Sequence, residues 1–174
     1  MKPCINRVAR SLVITCFLVA ASLLVLGRFE YSFSYSANTL ASKEEIWELW
    51  VDVENWKQFD ERLEYSFIEN NQQFADGATG YLKGRNAPRT KLRIEQVNSD
   101  KSFSVRLLLP LSQSIEMQRY FEETETGTQF THKVIFHGWL KPLFFLALAA
   151  PFKSDLHLVV DSIQTIADER ASAS

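Results

Sequence analysis

Residues 43–60 read KEEIWELWVDVENWKQFD, and three of the chain's four tryptophans, Trp47, Trp50 and Trp56, fall inside them. Ser42 just before the stretch is a helix cap, since its hydroxyl can take the amide three residues on while Glu45 reaches back to the cap. From there Ile46, Trp47, Leu49, Trp50 and Val53 recur at three- and four-residue spacing, which predicts an amphipathic helix. Ile46, Trp50 and Val53 share one face of it, so core packing is the first role of these large residues and ligand stacking the second. The following DVENWKQFD predicts a short helix or turn that brings Trp56 and Phe59 to the edge of whatever this helix covers.

Upstream, Phe29, Tyr31, Phe33 and Tyr35 alternate with Glu30, Ser32, Ser34 and Ser36, the period of a half-buried strand. Before that strand an uncharged run from Ser11 to Gly27 follows Lys2, Arg7 and Arg10. As a helix the run spans roughly 25 Å at 1.5 Å per residue, close to a bilayer core of about 30 Å. Residues 1–28 are therefore assigned to a signal-anchor or transmembrane segment, with residues 11–27 as the membrane contact. The length of the run favours an uncleaved anchor, while Val25 and Gly27 also meet the small-residue rule for signal cleavage. The basic flank predicts a cytoplasmic N-terminus and a domain on the opposite side of a single-pass membrane protein. Cleavage would instead release a secreted or periplasmic domain. Both cysteines, Cys4 and Cys16, sit in this segment, and acylation of Cys4 lacks the lipoprotein pattern of a cysteine after the apolar run.

Downstream, the segments LEYSFIE, FADGATGYLKG, TKLRIEQV, SFSVRLLL, SIEMQRYFEE and TQFTHKVIFHG read as strands separated by turns such as NSDK and TETG. Such short connections predict an antiparallel meander. The chain ends in a helix whose Leu156, Val159, Val160, Ile163 and Ile166 form an apolar stripe, with Pro151 expected to end or kink anything running into it. Residues 171–174 are assigned to a disordered tail.

This order of elements, together with ASKEEIWELWVDVENWKQFD, FADGATGYLKG and GTQFTHKVIFHG, resembles the SRPBCC or START-like superfamily, in particular its polyketide cyclase/dehydratase and lipid-transport branch. The resemblance covers residues 29–167 of a domain assigned to residues 29–170, and implies an α+β helix-grip fold, a curved antiparallel sheet wrapped around the long C-terminal helix. It also implies a cavity between sheet and helix that takes an apolar ligand. It brings no fixed catalytic motif, because fold does not determine function.

The hairpins say which side chains face that cavity. A symmetric TETG turn sets Phe121 opposite Phe130, Arg119 opposite His132, Met117 opposite Val134 and Ile115 opposite Phe136, all on one face. The NSDK hairpin adds Leu92, Ile94, Gln96, Phe103, Val105 and Leu107 to that face. It sends Lys91, Arg93, Glu95, Ser104 and Arg106 outward, as TETG does Glu116, Gln118, Tyr120 and Glu122. The expected cavity residues are Trp56, Phe59, Leu92, Ile94, Gln96, Phe103, Val105, Met117, Arg119, Phe121, Phe130, His132, Val134 and Phe136. Arg119 beside His132 is suited to a carboxylate, phosphate or enolate oxygen. An internal ion pair or a solvent-reaching head for Arg119, and a satisfied structural role for His132, are the competing assignments.

Composition excludes several classes. Beyond residue 27 the chain carries 16 basic and 21 acidic residues, which argues against a nucleic-acid partner. His132, His137 and His157 lack metal-ligand spacing, and no catalytic or phosphate-binding motif is present, so no metal, no cofactor and no catalytic residue is assigned. Three functions stay open. The first is a membrane-tethered carrier of a lipid or other small hydrophobic ligand. The second is a cyclase or dehydratase-like enzyme using His132 and Arg119, and the third an interaction module of a membrane complex with a filled interior.

Overall fold

The computed structural model describes residues 2–173 of the chain. Its elements are helix α1 (Lys2–Leu26), strand β1 (Ser32–Thr39), helix α2 (Lys43–Val51), strands β2 (Leu63–Ile68), β3 (Thr79–Gly84), β4 (Thr90–Asn98), β5 (Ser102–Leu109), β6 (Gln113–Thr124) and β7 (Gly127–His137), and helix α3 (Lys141–Ala173). The Ser42 cap forms as its sequence predicts: the Glu45 amide donates to Ser42 Oγ at 3.3 Å, and the Ser42 amide donates to Glu45 Oε2 at 2.8 Å. After Val51 the chain tightens into a 3-10 helix over Val53–Gln58, whose Trp56 Nε1 donates to the Trp50 carbonyl at 2.8 Å. That bond ties the second tryptophan of the opening stretch to the third.

The seven strands lie in the order β1-β7-β6-β5-β4-β3-β2, a meander closed on one side by the first strand. Every neighbouring pair is antiparallel. The β6–β7 register is the one the TETG turn dictates, with Phe121↔Phe130, Arg119↔His132, Met117↔Val134 and Ile115↔Phe136. The core lies where one face of this sheet meets α2 and the stripe Leu156, Val159, Val160 and Ile163 of α3.

Four expectations change. Gln96 is exposed rather than inward, because it takes a positive φ of 57° at a register shift between β4 and β5. This bulge reverses the alternation, so Val97 packs against the core instead. On the outer face Ser104 and Glu116 are buried although alternation sends them to water. Glu116 sits under a polar cover made by Arg106, Gln118 and His137, which long side chains create and periodicity cannot reveal. Of the two outcomes expected at Pro151, an end or a kink, the end does not occur, since the residue stands inside α3. A proline withdraws one hydrogen bond, and side chains packed on the core before and after it, from Phe144 to Val160, carry the helix through. The same helix continues to Ala173, into the stretch assigned to a tail.

The Ala9–Leu26 portion of α1 has no buried residue and is long and apolar enough to cross a membrane. α3 meets the same test of length and composition, but its stripe is held by the sheet and α2. Cys4 has its side chain outside the described residues.

Candidate ligand cavity

A cavity of about 890 Å³ lies between the concave face of the sheet and α3. It falls in the upper part of the roughly 300–1,000 Å³ that small-molecule sites occupy. Its inner wall is Leu107, Ile115, Met117, Arg119, His132 and Val134 from β5, β6 and β7, and α3 supplies Phe144, Leu148, Phe152 and Val159. The rim is the exposed β3–β4 loop at Arg85–Pro88 and the segment Asp60–Arg62. An Arg62–Asp155 ion pair joins that segment to α3 across the rim.

Of the residues predicted to face the cavity, Trp56, Phe59, Met117, Arg119, His132 and Val134 line it. Leu92, Ile94, Phe103, Val105, Phe121, Phe130 and Phe136 share the inner face but are buried in the core rather than on the cavity wall. Helix α2 explains part of the difference: Trp47 meets Phe103 and Phe121 edge-on at 5.5 and 5.9 Å, with Phe74 completing the cluster. Phe136 is covered by Phe145 and Phe152 of α3 at 5.4 and 6.2 Å. Gln96 faces away at its bulge. Of the wall residues from α3, Phe144, Leu148 and Phe152 fall in LFFLALAAPF, a segment whose composition alone suits either a lid over the cavity or a membrane-facing surface.

The polar floor is the unusual part. Arg119 is 3% exposed, and its guanidinium lies over the rings of Trp50, Trp56 and Phe103 at 3.7, 4.7 and 5.2 Å. These π faces favour a cation. Nonetheless Arg119 Nε and Nη1 and both ring nitrogens of His132 are buried without a hydrogen-bond partner. Burial pushes the pKa of Arg119 well below the ordinary arginine value, opposed by the charge of Asp60. Guanidinium nevertheless retains its proton, as the delocalised arginine side chain does in folded proteins. Burial, and then the positive charge of Arg119, hold His132 well below the usual imidazole range, so its ring is neutral near pH 7. Burial raises the Asp60 carboxyl, which accepts from the Arg62 amide at 3.1 Å. No carboxylate among the described residues forms an ion pair with Arg119. His137 and His157 lie elsewhere, His137 on Glu116 and His157 against Tyr35 with ring centroids 4.0 Å apart. No group of metal-ligating side chains occurs among the described residues.

No protein-family model and no curated protein matches this sequence. Solved structures do. The ZhuI aromatase/cyclase from Streptomyces sp. R1128 superposes with a TM-score of 0.66 at 12% identity, over 82% of this chain and 96% of that one. The di-domain aromatase/cyclase StfQ from the steffimycin biosynthetic pathway gives 0.69 at 12% identity, over 99% of this chain and 62% of that one. Ara h 8.0201 gives 0.59 at 8% identity, over 79% and 99%. The fold is the helix-grip fold. Here the sheet and α3 leave room between them, and Arg119 and His132 stand in that room.

Proposed function

We propose that the protein is a membrane-tethered binder or carrier of a small hydrophobic ligand held in the cavity between sheet and α3. The observation that carries this reading is the open apolar cavity itself, whose size and lining suit a ligand and which the core side chains leave unfilled. An interior packed solid would have favoured an interaction module. Tethering is supported by α1, whose Ala9–Leu26 portion is not buried by any of the described residues. Gly27, at the end of its apolar run, lies beside the backbone of Trp139, just before α3. Leu111, Trp139, Leu143 and Leu146 are exposed in that neighbourhood, while Phe144 and Leu148 of the same helix turns face the cavity. One helix therefore presents apolar residues outward where the tether arrives and forms the wall of the ligand space inward.

The test is native mass spectrometry on the full-length chain released from its membrane into a volatile neutral detergent, followed by extraction of what remains bound. A reproducible small lipid or other apolar molecule in one-to-one ratio is the expected result. A bare mass that added lipids leave unchanged overturns the reading. Tethering is checked separately: the chain should stay in the membrane pellet through an alkaline wash, and Leu18→Arg, which places a charge mid-helix at a cost of about 3 kcal/mol, should release it. A soluble product beginning after Gly27 would identify the segment as a cleaved signal.

A cyclase-like enzyme is the second reading, favoured by the unpaired Arg119 and His132 in the same cavity. The aromatase/cyclase neighbours support that reading only through their fold. Conversion of the co-purified molecule, lost in His132→Ala, would move the weight to it.

A further inference from the structure

The floor of the cavity holds more positive charge than the fold has any use for. A guanidinium has two kinds of surface, a flat face that stacks on rings and an edge of N–H groups that requires acceptors. Trp50, Trp56 and Phe103 meet the face of Arg119, at 3.7 to 5.2 Å from its central carbon. The edge is unmet, because Nε and Nη1 have no acceptor and the cross-strand neighbour His132 has none for either nitrogen. Leaving such donors buried and idle is strongly unfavourable. Asp60, in the rim segment, accepts from the Arg62 amide and acts on Arg119 through its charge without forming an ion pair with it. Everything else between this floor and the rim is largely apolar: Leu107, Leu109, Ile115, Val134, Phe144 and Leu148.

We propose that the floor is a receptor for the anionic group of an amphiphile, which enters charge first, accepts hydrogen bonds from Arg119 Nε and Nη1 and from a ring N–H of His132, and leaves its apolar body along the wall toward the rim. The inference rests on the reading of the cavity as a ligand site and names the chemical class of that ligand, a carboxylate or phosphate attached to an apolar body. The ligand supplies the acceptors that the chain omits, and the three rings prevent the cation from turning away to water.

The probes are palmitate, methyl palmitate and hexadecanol, titrated against the full-length chain in phosphatidylcholine nanodiscs, with empty nanodiscs as the partition control. Trp50 and Trp56 beside the site report binding by fluorescence. Palmitate should bind about ten- to a hundred-fold more tightly than the ester or the alcohol, the range of one charge-assisted hydrogen bond. Arg119→Met should bring the acid down to the affinity of the ester. It should also melt no lower than the parent without ligand, because a buried charge has been replaced by an apolar side chain of similar length. Arg119→Lys should keep part of the preference. Palmitate brominated beside the carboxyl should quench the tryptophan emission more than palmitate brominated at its far end. Equal affinities of acid and ester in the parent overturn the anion receptor and leave the cavity reading intact. The reverse quenching order overturns charge-first entry, and no binding of any probe overturns the cavity reading and the receptor with it.

Discussion

Trp50→Ala is expected to destabilise the domain by about 3–5 kcal/mol, the range for deleting a large buried aromatic side chain. Against a total stability of about 5–15 kcal/mol this is enough to leave a marginal domain partly unfolded at 37 °C. The residue is 1% exposed, meets Phe59 at 5.3 Å and His132 at 5.4 Å edge-on, and provides the nearest π face to Arg119. Removing it takes away packing, leaves Arg119 with two more distant rings, and opens a void next to the existing cavity. Trp47→Ala is the comparison, because Trp47 is only partly buried and should lose less. Urea unfolding of the full-length proteins followed by far-UV circular dichroism gives both values. A loss below about 1 kcal/mol for Trp50 would mean that its ring is a ligand contact first and a core residue second.

The inner face of the sheet explains how the fold both packs and stays open. At one end α2 and the loop before β3 bring Trp47 and Phe74 onto Phe103 and Phe121, and this aromatic plug closes the face. At the other end only α3 covers the strands, and it stands off from Leu107, Ile115, Met117 and Val134. Arg119 lies at the boundary, stacked on Trp50 and Trp56 and open to the cavity. The opening tryptophans thus act mainly as core, with Trp56 also forming part of the cavity wall.

That division marks what the sequence could and could not reveal. Alternation with a short turn determines which side chains share a face, and so the β6–β7 pairs, including Arg119 with His132, were legible in residues 114–137. Alternation carries no information about what lies against the face. Phe103 and Phe121 have the same period as Met117 and Val134, yet two are plugged by α2 and two border the cavity. Gln96 escaped because a one-residue bulge reverses the pattern, and only its positive φ records it. The rim sets Asp155 of α3 against Arg62 and the loop Arg85–Pro88, both at least 67 residues earlier in the chain, counted from Pro88, and these segments carry no local signal of their meeting. Glu116 was read as a surface residue, since nothing in its neighbours' spacing shows that Arg106, Gln118 and His137 fold over it.

Glu116→Ala follows from that burial and is expected to cost about 2–4 kcal/mol, more than an exposed ion pair yields. The carboxylate accepts from Arg106 Nη2 at 2.9 Å and Gln118 Nε2 at 2.7 Å, and meets His137 Nε2 at 2.8 Å. Arg106 keeps Glu95 at 2.7 Å, which limits the loss. Burial alone would raise the Glu116 pKa, but the Gln118 hydrogen bond and the charges of Arg106 and His137 outweigh it and hold the group below its ordinary value of 4.5. A carboxyl whose folded pKa is depressed contributes stability that is present above its unfolded pKa and lost as pH falls through the folded one. The difference between parent and Glu116→Gln should therefore be constant from neutral pH down to about 5 and shrink below about 4 as the parent carboxylate takes up its proton. Urea midpoints measured across that range decide the matter. A difference that grows on acidification would mean that the buried carboxyl is held protonated in the native state, and that Arg106 answers to Glu95 alone.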